Sequence, residues 1–187
     1  MPNLKNSLLL SFTLLAASPL AADIRGLYGS DCLAMEGLSA KKDFLFKDQS
    51  METVQTVYAD LECGVPVYDF SFLGDYIHDA DRQTLDHSYS SITLRALDER
   101  VTAAFNEVSL CGISDWVLNE AREVAGLECG GQHIPQAGTK VYDIVREAKD
   151  DKSRFEGLQL GLSSEAEDGL SAETRPTQLD PIVYQAK

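Results

Sequence analysis

Basic residues are scarce in this chain: 16 Lys and Arg stand against 30 Asp and Glu, which gives a formal net charge of −14. A protein this acidic repels nucleic acids and anionic membrane surfaces, so neither is predicted as a partner. The simplest reason for the charge is a solvated acidic surface that keeps an exported protein soluble. The charge alone leaves open a basic protein partner or divalent cations.

Several catalytic signatures are absent. The chain has no Gly-x-Ser-x-Gly run, which the nucleophile elbow of α/β-hydrolases requires, and no Gly-Lys-Ser or Gly-Lys-Thr for a phosphate-binding loop. Its 30 acidic residues could supply a carboxylate pair for glycoside hydrolysis, but the sequence selects no pair whose environments separate their pKa values. We therefore predict a non-enzymatic protein without a cofactor, and keep an enzyme as a third hypothesis.

Long apolar runs are absent after residue 22. Segment 1–22 contains one lysine, an apolar run over 8–17 and a small-residue end at Ala22. This pattern is typical of a secretory signal peptide, and its apolar part is too short to span a bilayer, which takes about 20 residues. We predict cleavage after Ala22. The mature domain, 23–187, is then periplasmic or secreted, without membrane insertion.

The four cysteines lack the close spacing of a metal site. Zinc sites use thiolates in short motifs such as Cys-x-x-Cys, and no such pair occurs here. An even number of cysteines in an exported chain predicts two disulfides. Of the three pairings we favour the sequential one, Cys32 with Cys63 and Cys111 with Cys129, because close residues lose the least entropy on meeting.

Period-two hydrophobicity dominates residues 41–97 and predicts antiparallel strands. The clearest strand is 67–78, where aromatic residues on one face alternate with polar residues such as Asp69 on the other. The aromatic face carries Tyr68, Phe70, Phe72 and Tyr76. Further strands are predicted over 53–63, around Phe44 and Phe46, and over 84–97, the last with a β-bulge near Ser90-Ser91. Four consecutive strands with short connections form a meander.

The second half of the chain predicts one short helix and further strands. Val101, Phe105 and Val108 recur at helical spacing, and Asp98 suits the N-cap of a helix over 98–109. Strands are predicted over 140–147, 155–162 and 181–185. Segment 115–124 fits either a strand or a helical turn, and 163–176 is an acidic, serine-rich loop.

A single domain with seven or eight antiparallel strands predicts a sandwich or a closed up-and-down barrel, and we favour the barrel. The opening Gly26-Leu27-Tyr28, followed by a meander, a mid-chain helix and late strands, resembles the lipocalin or calycin group of exported β-barrels. Tyr28 stands where that family has Trp. The family's later Thr-Asp-Tyr motif and last-strand Arg have no counterpart here. The resemblance implies a mostly β, lipocalin-like barrel, stapled here by two disulfides.

Aromatic side chains that point into a barrel either fill its core or line a cavity for one small ligand. Core filling is the simpler interpretation. If a cavity exists, the aromatic residues are predicted to contact the ligand, with tyrosine hydroxyls orienting it. The candidate ligand-binding residues are Phe44, Phe46, Tyr68, Phe70, Phe72, Tyr76, Tyr89 and Trp116.

The most polar cluster combines carboxylates and imidazoles, which together could bind a metal ion. It consists of Asp75, His78, Asp79, Asp81, Asp86 and His87. A hairpin tip favours aspartate for another reason, since its side chain bonds nearby backbone amides, and no EF-hand loop is present. We favour the hairpin tip and predict no metal site. His133, in the glycine-rich segment after Cys129, is interpreted as a loop residue.

Two functional hypotheses follow. The first is an exported, non-enzymatic barrel that binds a small apolar or amphipathic ligand in its interior. The second is a filled barrel that acts as a protein-interaction or inhibitor module of the cell envelope, through an acidic face and a basic partner. An interior cavity separates them, because ordinary ligand pockets begin at about 300 Å³. Neither the ligand nor the oligomeric state follows from the sequence.

Overall fold

The computed structural model describes residues 24–149, 152 and 154–187. The predicted signal peptide, 1–22, lies outside the described residues. Within the part of the chain that is described, no helix is both long enough and apolar enough to cross a membrane.

Antiparallel strands make up most of the described chain. They are β1 (Gly26–Gly29), β2 (Leu33–Ala34), β3 (Ser39–Lys47), β4 (Ser50–Tyr58), β5 (Pro66–Asp79), β6 (Thr84–Ser88), β7 (Ser91–Ala96), β8 (Ala121–Glu123), β9 (Glu128–Cys129), β10 (Gln132–His133), β11 (Lys140–Lys149), β12 (Phe155–Leu160) and β13 (Tyr184–Ala186). One α-helix, α1 (Glu99–Glu107), and a 3₁₀ turn, Leu110–Gly112, follow β7.

Eight of these strands close into a barrel. Going round it, each strand pairs with the next in the order β3, β4, β5, β6, β11, β12, β13 and β1, and β1 pairs again with β3. All of these pairings are antiparallel. The predicted class, a mostly β, closed antiparallel barrel with one short helix, is confirmed, and the fold is compatible with a lipocalin-like barrel.

Strand β5 is long because two different strands, β6 and β7, pair with successive parts of the same edge. Its second half pairs with β6, through Tyr76 opposite His87, while its first half pairs with β7, through Phe70 opposite Leu94. The predicted single strand over 84–97 is therefore two strands. The break falls at the predicted β-bulge, where the chain crosses Gly74. A Cβ at residue 74 would collide with the Ser88 carbonyl oxygen, so the crossing requires glycine.

Strand β4 ends at Tyr58, earlier than the predicted 53–63, because Asp60 organises a turn. The Asp60 carboxylate accepts hydrogen bonds from the backbone N–H groups of Glu62 (2.8 Å), Gly64 (3.0 Å) and Val65 (2.6 Å). Backbone groups bonded to a local aspartate are not available for a sheet ladder. The turn then leads directly into β5.

Three apolar clusters pack against the curved sheet, and the two larger ones lie on the same face of it. The first fills the barrel and includes Phe46, Leu85 and Leu158. The second continues beyond the barrel wall under β7, where Leu94, Trp116 and other side chains pack together. The extra strands β7 and β8 and the helix thus give the barrel an annex with its own core.

Helix α1 forms where the sequence predicts it. Asp98 is the N-cap, and its side chain accepts hydrogen bonds from the backbone N–H groups of Arg100 (2.9 Å) and Val101 (3.3 Å). Phe105 contacts Trp116 with ring centroids 5.3 Å apart, which attaches the helix to the second cluster. Segment 115–124, which fitted either element, contains the short strand β8.

Both disulfides have the predicted pairing, Cys32–Cys63 and Cys111–Cys129. The first ties the segment before β2 to the turn between β4 and β5. The second lies within the apolar cluster of the annex, where both cysteines are buried. The late strands are close to expectation, except that the last one, Tyr184–Ala186, begins three residues after the predicted start.

Candidate functional site

A cavity of about 200 Å³ lies inside the barrel and is open to solvent. We call it the barrel cavity. It is lined by Lys42, Phe44, Met51, Thr53, Gln55, Phe72, Leu85, His87, Tyr89, Val141, Asp143, Leu160 and Ser163. Its volume is below the roughly 300 Å³ at which ordinary ligand pockets begin. The interior therefore has no room for a ligand of drug size, and most of it is filled by side chains.

Aromatic side chains do much of this filling. Phe46 lies between Tyr28 (5.9 Å between ring centroids) and Tyr76 (5.1 Å), and Phe44 contacts Tyr184 at 4.8 Å. These rings meet edge to face, the geometry that aromatic pairs favour. Of the predicted ligand-binding residues, Phe46 and Tyr76 thus belong to the packed core, while Phe44 also borders the barrel cavity.

A second run of aromatic rings leads from the barrel cavity into the annex. Phe72 contacts Tyr89 at 5.4 Å and Phe70 at 6.2 Å, and Phe70 contacts Tyr68 at 6.1 Å. Trp116 joins the same cluster at its far end. Phe72 and Tyr89 line the barrel cavity, whereas Tyr68, Phe70 and Trp116 pack in the annex. The eight candidates are therefore divided between the barrel core, the barrel cavity and the annex.

Asp143 is the acidic group of the barrel cavity. Strand β11 points it inward, and its Oδ1 accepts hydrogen bonds from the backbone N–H groups of Ile144 (2.7 Å) and Gly161 (2.9 Å). A Cβ at residue 161 would collide with Oδ1 and with Pro176, so glycine permits this close approach. Burial raises the pKa of Asp143 to about 6, against the opposing effects of these two bonds and of nearby positive charges.

Lys42 is the basic group. It lies on β3 two residues before Phe44, so both side chains face the interior. Its Nζ is 5.0 Å from the centroid of the Phe44 ring. Burial lowers the pKa of Lys42, and the negative charges of Asp143 and Asp180 act in the opposite direction. Lys42 is half-buried, so its ammonium group is less well hydrated than that of a surface lysine.

His87 completes the polar wall. It lies on β6 opposite Tyr76 and Val141, and its ring is 5.3 Å from that of Tyr89. Burial, together with the positive charge of Lys42, lowers its pKa to about 4, and the negative charge of Asp86 opposes the shift. The imidazole is therefore neutral at neutral pH. Among the described residues its buried Nδ1 has no hydrogen-bond partner, which is costly unless water or a ligand supplies one.

The segment after β12 packs against the outer side of β6 and β11, the strands that carry His87 and Asp143. Arg175 donates from Nη1 to Asp86 Oδ1 (2.6 Å) and to the Asp143 carbonyl oxygen (2.5 Å), and its guanidinium lies over the Tyr142 ring. The Tyr142 N–H donates to the Gly169 carbonyl oxygen at 2.7 Å. These contacts attach the loop of residues 163–176 to β6 and β11, the strands that carry His87 and Asp143.

The predicted polar cluster separates across the β5–β6 hairpin. Asp79 accepts from the backbone N–H of Arg82 (3.0 Å), a turn contact, and Asp86 forms the ion pair with Arg175. His87 faces the barrel interior, whereas Asp75 is exposed. In the described part of the chain no group of three or more His, Cys, Asp or Glu side chains is placed to hold a metal ion. Exposed His133 bonds Glu128 at 2.8 Å.

Larger depressions lie at the hairpin end of the barrel, outside the interior. One of about 470 Å³ is bordered by Asp48 and Ile77, and one of about 440 Å³ by Ala80 and Lys149. Both include His78 in their walls. They are open surface features, and of the predicted aromatic residues Tyr76 alone borders one of them, the depression of about 470 Å³.

Sequence reasoning missed the polar residues of the cavity. Lys42, Thr53 and Gln55 occupy strand positions whose phase matches inward neighbours such as Phe44 and Val57. Asp143 likewise lies two residues before buried Val145 on β11, so both side chains point to the same side of the strand. Strand phase could have found them, because a polar residue at an inward position of a barrel strand must face either the core or a cavity. Only the aromatic members of the inward positions were selected.

The fold and the site together define a closed eight-stranded antiparallel barrel with a small, partly polar interior cavity and two disulfides. No protein-family model matches the chain, and no curated protein matches its sequence significantly.

Proposed function

We propose that this protein is a non-enzymatic barrel that binds one small amphipathic ligand in the barrel cavity. The observation that carries the proposal is the unpartnered Nδ1 of His87, buried in a cavity wall that places polar groups beside apolar ones. Ligand sites are mostly apolar enclosures with a few well-placed polar groups, and this cavity has that composition. Its volume of about 200 Å³ restricts the ligand to a molecule smaller than a drug.

The sequence predicted an apolar or amphipathic ligand, and the polar groups of the barrel cavity favour an amphipathic one. A purely apolar ligand would displace water from the open cavity and leave the Lys42 Nζ, the Asp143 Oδ2 and the His87 Nδ1 without hydrogen-bond partners, which is costly. An amphipathic ligand satisfies these groups and covers Phe44 and Met51 with its apolar part. The aromatic candidates outside the cavity then have a structural role in the two packed clusters.

We also propose an exported location, periplasmic or secreted. The two disulfides support it, since such bonds persist in oxidising compartments and are rare in reducing ones. The amino-terminal segment with the features of a signal peptide supports it independently.

Native mass spectrometry of the oxidised protein from an exporting host tests the ligand proposal. A discrete mass above the denatured mass is expected, before or after incubation with an envelope extract. Leu160→Phe should abolish it, because Leu160 lines the cavity and a larger side chain fills it. Leu27→Phe is the matched control, since Leu27 is 40% exposed on the outer face.

No bound mass under any of these conditions would contradict the proposal. The surface-interaction hypothesis would then remain, with a basic protein as the partner that an acidic chain attracts.

A further inference from the structure

The barrel cavity contains one group of each charge, and the two do not pair. Lys42 and Asp143 both line it, yet no ion pair within 4.0 Å joins Lys42 to any described carboxylate or Asp143 to any described basic group. The Nζ of Lys42 lies over the Phe44 ring. One carboxylate oxygen of Asp143 is held by two backbone N–H groups, which leaves Oδ2 without a described partner.

The charged atoms of Lys42 and Asp143 reach the open cavity, where water can hydrate them, and the one fully buried unpartnered atom of the described side chains is Nδ1 of His87. A buried ion is tolerated when it is paired, hydrogen-bonded or hydrated, and a direct Lys42–Asp143 bond would be the simplest solution. The fold instead keeps the two groups apart, because Asp143 is anchored through Ile144 and Gly161 while Lys42 extends from the opposite side of the cavity on β3. The space between them is suited to an occupant with complementary charges.

We propose that the ligand of the barrel cavity is a small zwitterion, with its carboxylate bound to Lys42 and its ammonium group bound to Asp143. This inference rests on the proposed ligand-binding function and specifies the ligand class. His87 donates or accepts through Nδ1 at the polar end, since a neutral imidazole has one nitrogen of each kind. The apolar part of the ligand lies on Phe44, Met51 and Leu85.

Singly charged ligands fit the cavity less well. A simple carboxylate pairs with Lys42 but leaves Asp143 unpaired and meets the repulsion of a chain with net charge −14. A simple amine pairs with Asp143 and leaves Lys42 unpaired beside a new cation. Only a ligand that carries both charges satisfies both groups, and a free amino acid with a small apolar side chain has the right size for about 200 Å³.

Isothermal titration calorimetry with matched probes tests this inference. The zwitterions are L-alanine, L-valine and L-leucine, and the singly charged analogues of leucine are 4-methylpentanoate and 3-methylbutylamine. The protein is first unfolded, dialysed and refolded with its disulfides intact, so that no carried-over ligand blocks the cavity. We expect at least one zwitterion to bind at least about tenfold more tightly than either analogue, because two charge-assisted contacts form instead of one.

Variants assign the two charges. Lys42→Met should weaken binding of the zwitterion and of 4-methylpentanoate but not of the amine, and Asp143→Asn should weaken binding of the zwitterion and of the amine but not of the acid. Matched controls are Lys41→Met, the neighbouring lysine on β3, and Asp75→Asn, an exposed aspartate on β5. Both controls should bind like the parent protein. Circular dichroism of each variant shows that its fold is retained.

The outcomes separate the two proposals. Binding of 4-methylpentanoate or of the amine as tight as that of every zwitterion overturns the zwitterion inference and leaves the ligand-binding function standing. The same holds if a different ligand co-purifies in native mass spectrometry while no zwitterion binds. Absence of both a co-purified ligand and any binding overturns both.

Discussion

Asp143 and His87 face the same cavity, and burial shifts their pKa values in opposite directions. The folded protein holds the proton of Asp143 more tightly than the unfolded chain does, since the pKa rises from 3.8 to about 6. It holds the proton of His87 less tightly, since that pKa falls from 6.5 to about 4. Burial favours the neutral form of an acid and of a base alike. Between about pH 4 and pH 6, the two groups therefore have opposing effects on stability.

In the parent protein the pH dependences that Asp143 and His87 give to stability partly cancel, and we expect single variants to reveal each of them. In Asp143→Asn, His87 is the one of the two that still titrates, so the free energy of unfolding should rise as the pH increases from 4 to 6.5. Over this range folded His87 is already neutral, whereas the unfolded chain still binds the His87 proton and gradually loses it. In His87→Gln, Asp143 is the one of the two that still titrates, so the free energy of unfolding should fall as the pH increases from 4 to 6. Over this range the folded protein keeps Asp143 protonated, whereas in the unfolded chain the carboxyl group is ionised and its proton is given up to solvent. The parent protein should change less than either variant.

Urea unfolding at pH 4, 5, 6 and 7 measures these slopes. An effect on the order of 1 to 2 kcal/mol is expected across the range, because one pKa unit corresponds to about 1.4 kcal/mol and the cavity is open to water. His133→Gln is the control, as His133 is exposed. Parallel curves for the parent and both cavity variants would show that Asp143 and His87 titrate alike in the folded and unfolded chains.

Asp69 shows how a single residue can depart from a correct pattern. Strand phase places it on the outer, polar face of β5, but only 4% of it is exposed, and Arg95 on β7 donates to both of its carboxylate oxygens. Asp69 and Arg95 lie directly opposite each other in the ladder. The extra strand beyond the barrel wall is thus joined to β5 by an ion pair as well as by backbone hydrogen bonds.

Removing one partner of this pair should be strongly destabilising. We expect Asp69→Asn to lower the free energy of unfolding by more than Asp75→Asn, by roughly 2 to 3 kcal/mol, because Arg95 loses its ionic partner next to a buried amide. Asp75 is exposed on the same strand and gives the matched comparison. Equal unfolding midpoints in urea for the two variants would contradict this expectation.

At the scale of elements, β5 decides the shape of the molecule. One strand pairs with β6 to close the barrel and with β7 to build the annex, and the chain passes from one to the other where Gly74 leaves room. The Ser90 N–H donates to the Leu73 carbonyl oxygen at 2.7 Å, which continues the ladder directly after the crossing. The two larger apolar clusters therefore share a single sheet.

Gly74→Ala should be destabilising by more than about 2 kcal/mol, because the new Cβ collides with backbone that has little freedom to move. Gly64→Ala is the control, since a Cβ there meets no atom closer than 3.4 Å. Thermal unfolding followed by circular dichroism measures both. A melting temperature of Gly74→Ala equal to that of Gly64→Ala would mean that the crossing is not constrained as described.

At the scale of the whole molecule, the disulfides reinforce two different regions. Cys32–Cys63 closes a loop with a sequence separation of 31 and lies at one end of the barrel strands, whereas Cys111–Cys129, with a separation of 18, lies in the annex. The chain-entropy model gives contributions of about 4 and about 3 kcal/mol respectively, since longer closed loops lose more entropy in the unfolded chain.

Paired alanine variants of each disulfide should reveal this division. Cys111→Ala with Cys129→Ala should lower stability and loosen the annex while the barrel strands keep their amide protection. Cys32→Ala with Cys63→Ala should lower protection in β3 and β4. Hydrogen exchange under non-reducing conditions measures the distribution. A uniform loss of protection in both variants would indicate that barrel and annex unfold as one unit.

Local patterns of the sequence were sufficient for β3, β5 and the first part of β4, for the helix with its Asp98 cap, and for the pairing of the cysteines. Period-two alternation, a capping side chain and short loop separation each act between residues that are near in the chain. The aromatic residues of β5, Tyr68, Phe70, Phe72 and Tyr76, share one phase of that strand, as its alternation predicts. Their division between barrel and annex was not visible, because it depends on which strands pair around β5.

The sequence by itself therefore determined the β class, the period-two alternation of the central meander strands and the two disulfides. Only the tertiary structure decided that the interior is largely filled, that 84–97 divides between two neighbours of β5, and that Lys42, His87 and Asp143 meet at one cavity. These three residues lie on β3, β6 and β11, far apart in the chain. Closure of the barrel brings them together, and no local propensity encodes closure.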